Sequence, residues 1–377
     1  MSTLVSRTNE AIPALDLKAQ YASIREEIRA AVDAVLDSQH FILGPEVKAL
    51  ENEIATYLGS QYGVGVASGT DALILALRAC DIGPGDEVIC PSFTFIATAD
   101  GISLLGATPV FVDIDPKTFT IDASKIEARV TSRTKAIIPV HLYGQAADME
   151  PILEVARRKS LRVIEDNAQA IGATYKGKRV AALGDIGCLS FFPSKNLGCC
   201  GDGGMVVTHS ETMAKRLRSL RSHGSVKKYF SEEQGWNSRL DEVQAAIVRV
   251  KLRYLDVWSS KRREKAAQYD SLLKHVPGVQ VPHLASWGTH VFHQYTIRVQ
   301  RRDHVQNFLA SRGIASTVYY PTPIHLQPIY KSLGHKPGDF PETEMAAAEV
   351  LSLPIYPELT DEQIQRSVDT LADAVRS

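Results

Sequence analysis

The sequence predicts an α/β protein with a mostly parallel central sheet, helices on both of its faces, and a smaller C-terminal α+β domain. Three observations carry this expectation. Short β-rich apolar runs alternate with helical stretches up to about residue 255, the order that a parallel sheet with crossover helices requires. Beyond that point a long helical pattern gives way to short mixed elements. With 377 residues, 44% hydrophobic and 23% charged, the chain has enough apolar material for more than one ordinary globular core.

Each element has its own signal. Residues 18–37 place Ile24, Ile28, Val32, Val35 and Leu36 at helical spacing. Gly44-Pro45 interrupts, and Pro45 suits the first turn of a second helix to about Leu58. A strand is expected at Tyr62–Val66, a helix at Ser68–Cys80, a turn at GPGDE (83–87) and a strand at Val88–Cys90. Further strands are expected at Val110–Ile114, Ala136–Val140, Val163–Glu165, Cys188–Phe192 and Gly204–Thr208, with a helix at Asp148–Lys159. One continuous helical stretch is expected from Arg239 to Leu273. After it, His293–Arg298 and Thr317–Tyr320 read as strands flanking a helix at Asp303–Arg312. The large domain, with its N-terminal helices, is therefore placed at 1–255 and the small domain at 256–377.

Composition narrows the function. A net charge of −1 gives no field favouring nucleic acid or acidic membranes, so an anionic substrate must be held by local groups. The five cysteines include no CxxC pair, which suits reduced thiols better than a disulfide framework or a metal site. The N-terminal stretch has no apolar signal core, and no run approaches the ~20 apolar residues of a membrane span. A cytoplasmic protein is expected.

Four segments could carry chemistry, each at the C-terminal end of an expected strand, where α/β folds bind ligands. In Ser190-Phe191-Phe192-Pro193-Ser194-Lys195, Lys195 is either a solvated loop residue or an amine nucleophile. In Val163–Gln169, Asp166 is either a cap or ion-pair residue, or a carboxylate for a protonated ring nitrogen; Gln169 could bond a phenolic oxygen on the same ring. Ser68-Gly69-Thr70 opens a helix, and its hydroxyls and free N–H groups serve as simple caps or as a phosphate cradle. Phe95, past the next strand, is a core aromatic or a stacking surface for a flat cofactor. Together, in this chain order, they supply the parts that pyridoxal phosphate requires.

The sequence also resembles the DegT/DnrJ/EryC1/StrS family of sugar aminotransferases, which are fold-type I pyridoxal-phosphate enzymes. The likeness runs nearly end to end. It includes SGTDAL (68–73), GPGDEVI (83–89), PVFVDIDP (109–116), TKAIIPVHLYGQ (134–145), SFFPSKNLG (190–198), GDGG (201–204), NSRLDEVQAA (237–246), HLQPIY (325–330) and VLSLPIYPEL (350–359). The resemblance implies that Lys195 carries the cofactor as a Schiff base and shuttles protons, and that Asp166 pairs with the pyridine nitrogen. It implies that Gln169 meets the ring hydroxyl, Gly69, Thr70 and Ser190 hold the phosphate, and Phe95 stacks on the ring. Asn237 is expected to reach the phosphate from the other subunit of a homodimer. Arg239, Tyr319, Tyr320 and His325 are expected to face substrate. The implied reaction moves an amino group from glutamate, leaving 2-oxoglutarate, to a UDP- or dTDP-linked keto sugar. Position C3 is favoured, with C4 amination, a sugar dehydratase or a non-catalytic regulator as alternatives. Two positions depart from the family pattern: Asn167, where relatives carry Ala or Cys, and Tyr319, where many carry His. Lys195 itself argues against the dehydratase branch, which has histidine there.

Overall fold

The computed structural model describes residues 11–227 and 229–377; the stretch read above for a secretory signal lies largely outside them. The large sheet contains β1 (Tyr62–Val66), β2 (Glu87–Pro91), β3 (Thr108–Val112), β4 (Thr134–Ile137), β5 (Arg162–Asp166), β6 (Ile186–Ser190) and β7 (Gly204–Thr208). Their spatial order is β1-β7-β6-β5-β4-β2-β3. Only β7 runs against its neighbours β1 and β6; the other pairs are parallel. The C-terminal ends of β1 through β6 therefore share one edge of the sheet.

Burial on both faces explains the near-continuous apolar strands. The helices are α1 (Leu17–Ser38), α2 (Pro45–Leu58), α3 (Gly69–Ala79), α4 (Ala97–Leu104), α5 (Met149–Lys159), α6 (Glu211–Leu220) and α7 (Glu242–Leu252). Val88, Cys90 and Ile164 pack with α3, α4 and α6 on one face. Ile89 and Val163 point the other way, against α5, and Leu189, Met205 and Val207 meet α2 and α7. This period-two alternation fixes which strand-end side chains face the functional edge.

A second core forms around β8 (Val279–Gln280), β9 (Tyr295–Val299) and β10 (Val350–Leu353), which pair antiparallel. It packs the C-terminal part of α8 (Leu255–Leu273) and both α9 (Arg302–Ser311) and the last helix, Asp361–Arg376. Ile12 joins this core and is bridged to Ile314, so the segment before α1 lies with the C-terminal elements.

Several boundaries differ from expectation. The single helix expected over 239–273 is two helices, broken at Arg253-Tyr254. The break lets α7 pack under the sheet while α8 buries Trp258 against α1 and Tyr269 in the second core. Strands expected at 110–114, 136–140 and 188–192 end two or three residues earlier, at Val112, Ile137 and Ser190. Ile114, Val140 and Phe191 remain buried, so the apolar pattern outlasts the ladder. The strand expected at Thr317–Tyr320 is a single bridge from Thr317 to Ser352; Val318, Tyr319 and Tyr320 pack instead with Phe93, Phe119 and Tyr143.

One long-range cap ties the N-terminal helices to this scaffold. Gly44, the N-cap of α2, has no side chain to offer. The carboxylate of Glu242, on α7, accepts from Glu46 N (2.8 Å) and Val47 N (2.9 Å) instead. A Cβ at Gly44 would lie 2.9 Å from that carboxylate. Glu242→Ala should therefore destabilise the fold by about 1–3 kcal/mol, read as a lower urea midpoint; an unchanged midpoint would show that the cap contributes nothing.

Candidate active site

The shared strand edge gathers the chemistry. At the end of β1 the chain turns into α3, whose N-cap Ser68 accepts from Asp71 N at 3.0 Å. The N–H groups of Gly69 and Thr70 stand at the helix start, where intrahelical partners are lacking and the dipole favours an anion. The approach to the ends of β6 and β7 is tight: a Cβ at Gly69 would lie 2.6 Å from the Cβ of Ser190, and one at Gly204 would lie 2.3 Å from the Ser68 carbonyl oxygen. Glycine at both places lets the helix start press against the strand carrying Ser190.

From Ser190 the chain turns through Phe192-Pro193, closed by Lys195 N donating to Phe192 O at 2.8 Å. This returns Lys195 over the sheet edge. Burial pulls the Lys195 amine down to about 8, against the opposing attraction of Asp166. Asp166 ends β5 and is buried. Its Oδ2 accepts from Thr98 Oγ1 at 2.8 Å and its Oδ1 from Ala168 N at 3.1 Å; Thr94 lies 3.2 Å behind Thr98, hydroxyl to hydroxyl. Burial raises the Asp166 carboxyl, while Ala168, Thr98, Lys195 and His141 act to lower it.

On the opposite face of β5, Glu165 anchors the strand end. Its carboxylate accepts from Ala181, Leu183 and Gly184 N–H groups, each at 2.7 Å, and lies 2.9 Å from His141 Nε2. His141 Nδ1 in turn accepts from Ala147 N at 3.1 Å. A buried carboxylate with this many donors is fixed in place, and Asp166 inherits that rigidity through the backbone.

A cavity of about 370 Å³ brings together Gly69, Thr70, Phe95, Asp166, Gln169, Ser190 and Lys195, with Tyr319 and Tyr320 entering from the C-terminal elements. Phe95 is half exposed on its wall, 6.0 Å from the Tyr320 ring. Gln169, expected to meet a ring hydroxyl, has both ends engaged: Oε1 accepts from Tyr143 N (2.7 Å) and Nε2 donates to Tyr320 OH (2.9 Å). Asn237 and Arg239 do not line this cavity. They line an adjoining one of about 400 Å³, and Asp202 borders both. Ser238, between them, is pinned by its hydroxyl to Asp71 (2.7 Å) and Ala67 N (3.2 Å). His325 is outside both cavities, buried against Phe340 with Nε2 3.2 Å from Glu344. Asn167 is buried, and neither of its amide atoms meets a partner among the described residues.

Sequence reasoning missed Thr98 and His293. Thr98 had a faint signal, lying four residues after Thr94 at a helix start. His293, which lines the cavity, had none, because only tertiary structure brings it near Lys195.

Compared with known proteins, the sequence matches the DegT/DnrJ/EryC1/StrS aminotransferase family over residues 22–372. The chain belongs to this family. A Geobacillus stearothermophilus relative named as a pleiotropic regulatory protein is 53% identical, covering 97% of this chain and 99% of that one. A UDP-N-acetyl-3-dehydro-alpha-D-glucosamine 3-aminotransferase of Acidithiobacillus ferrooxidans is 52% identical, covering 95% of this chain and 96% of the relative. Among solved structures, Streptomyces venezuelae DesV in complex with a ketimine intermediate superposes with a TM-score of 0.96 at 46% identity, covering 98% of this chain and 100% of that one.

The amine and the carboxylate should titrate as a linked pair. Reactivity of Lys195 toward an acylating reagent should rise through about pH 8. In Asp166→Asn the rise should move to lower pH, since the lost anion had favoured the ammonium. An unmoved profile would disprove the coupling.

Proposed function

We propose that the protein is a pyridoxal-phosphate-dependent aminotransferase that converts a nucleotide-linked keto sugar to the amino sugar. The observation that carries this reading is the Lys195 amine and the Asp166 carboxylate in one cavity, beside the helix start at Gly69-Thr70. The residues present fit the cofactor. The N–H groups and hydroxyl of Gly69-Thr70 and the Ser190 hydroxyl suit its phosphate, Phe95 suits a ring face, and Asp166 suits a protonated ring nitrogen.

When bound, the cofactor supplies an aldehyde carbon for amine exchange and a ring that spreads negative charge from the amino donor's α-carbon. Asp166, oriented by the Thr98 hydroxyl and the Ala168 N–H, would hold a proton on the ring nitrogen. Burial lowers the Lys195 amine to about 8, so it gives up its proton more readily near neutral pH than an exposed lysine does. With the cofactor bound, it would move the proton from the donor's α-carbon to the cofactor's aldehyde carbon, and carry it in the opposite sense in the second half-reaction. Phe95, Tyr319 and Tyr320 line the same cavity.

Glutamate is the proposed donor. The 3-keto sugar is favoured because relatives at 44–52% identity carry names of 3-amino or 3-keto sugar aminotransferases. Tyr319, where many relatives have histidine, is the position at which sugar choice is expected to differ. A homodimer is proposed, in which Asn237 and Arg239 of one copy complete the other's site. Supporting this, Asn237 is exposed, the two residues border an adjoining cavity, and Phe41, Ile42 and Leu43 are 40–47% exposed.

A panel of UDP- and dTDP-linked 3- and 4-keto sugars with glutamate, read by mass, tests the function; amino-sugar product from a 3-keto member is expected. Lys195→Ala should lose turnover by roughly 10³-fold or more together with the visible absorbance of bound cofactor, and wild-type turnover in that variant would refute the role of Lys195. A protein that takes up no cofactor and aminates no sugar would instead support a regulatory function.

A further inference from the structure

Asp71 lies in the first turn of α3, immediately after the Gly69-Thr70 N–H groups, and its own N–H is taken by the Ser68 hydroxyl. An acid in a first turn ordinarily does no more than complement the helix dipole. Here its side chain has a partner 167 residues away: Ser238 Oγ donates to Asp71 Oδ2 at 2.7 Å. A carboxylate only accepts, so the hydroxyl hydrogen is committed to it, and the Ser238 oxygen accepts from Ala67 N at 3.2 Å. Ser238 is 1% exposed, so loss of its hydroxyl would strand both groups. The backbone is held from the other side. Ser238 N donates to Arg221 O (2.9 Å), Trp236 N donates to Leu220 O (2.7 Å), and Asn237 is bridged to Ser222. Arg221 in turn donates to Gly65 O at 2.8 Å. The end of β1, the end of α6 and the 236–239 segment are thus bonded together. Burial alternates along that segment: Ser238 and Leu240 are buried, Asn237 is exposed and Arg239 is half-buried. Pinning Ser238 inward turns Asn237 and Arg239 outward, beside Ile42, which lines the same cavity and is bridged to Asp241.

We propose that Ser238, anchored on Asp71, is a positioning residue that acts in trans: it holds the segment that presents Asn237 and Arg239 to the neighbouring copy's site. This rests on the homodimer reading above, in which Asn237 reaches the cofactor phosphate of the other copy. One helix start then serves two sites. The Gly69-Thr70 N–H groups suit the phosphate of their own chain, while the Asp71 carboxylate of the same turn sets the residue that reaches the other chain's phosphate. Breaking the Asp71–Ser238 bond therefore weakens phosphate binding in the neighbouring copy, not in the copy that carries the change.

The test measures the dissociation constant of pyridoxal phosphate from its visible absorbance in the full-length protein, with pyridoxal, which lacks the phosphate, measured alongside. Ser238→Ala should weaken pyridoxal phosphate about tenfold and leave pyridoxal unchanged. Mixed dimers of Ser238→Ala copies with Lys195→Ala copies, isolated with two affinity tags, then locate the effect. In them only the Lys195 of the Ser238→Ala copy gives the signal, and the Asn237 facing it comes from the copy with Ser238 intact. Wild-type affinity in the mixed dimers is the expected result. An unchanged affinity in the Ser238→Ala homodimer, an equal loss for pyridoxal, or a loss that persists in the mixed dimers would overturn the proposal. Ser238→Cys fills the same space with a weaker donor and serves, under the same outcomes, where Ser238→Ala does not fold. A wild-type protein that takes up no cofactor, or sediments as a monomer, sinks the proposed function or its dimer and this inference with them. Wild-type binding with any of the three contrary results sinks this inference alone.

Discussion

A lysine amine held out of water beside a buried carboxylate is the constraint from which the rest of this structure follows. Neither Lys195 nor Asp166 would sit there without support, because removing a charge from water is unfavourable unless other groups replace the lost hydration. The fold supplies those groups from fixed positions: Thr98 on α4, the Ala168 N–H, and the strand end behind, locked by the four donors around Glu165. Burial is then spent on the amine, whose lowered affinity for protons is the property an exchange reaction needs.

The same edge shows how backbone chemistry positions side chains. Parallel strands with their C-terminal ends aligned bring Ser68, Asp166 and Ser190 to one crevice, and glycine at 69 and 204 lets a helix start close onto a strand end. Larger residues at either place would push the helix N–H groups away from the Ser190 hydroxyl. The C-terminal elements add Tyr319, Tyr320 and His293 to the wall. The groups proposed to face the cofactor thus come mostly from the strand ends, and the C-terminal groups in the wall come from segments outside the large sheet.

Much of this was legible in the sequence, for a physical reason. Strands buried on both faces are apolar runs bounded by turn residues, so β1 and β7 are readable to the residue. Functional groups of such a sheet cluster just past the strand ends, so Gly69, Asp166 and Lys195 could be singled out as candidates by position, while the choice between a bland and a chemical role came from their combination and from the family resemblance. Boundaries were less legible where apolar burial continues beyond hydrogen-bond pairing, as at Ile114 and Val140. Contacts that depend on tertiary closure left no local trace. His325 sits in a conspicuous motif yet packs against Phe340 away from the cavity, whereas His293 sits in an unremarkable one and borders Lys195. Gln169 was read as a cofactor contact, and nothing in its neighbourhood in sequence announces Tyr143 and Tyr320 as its partners.

The most direct measurement is to load the protein with pyridoxal phosphate, fix any covalent link with borohydride, and map the pyridoxyl group by peptide mass. The account predicts one modified site, on the peptide containing Lys195, and its loss in Lys195→Ala. A pyridoxyl group on a different lysine such as Lys251, or on none, would contradict it.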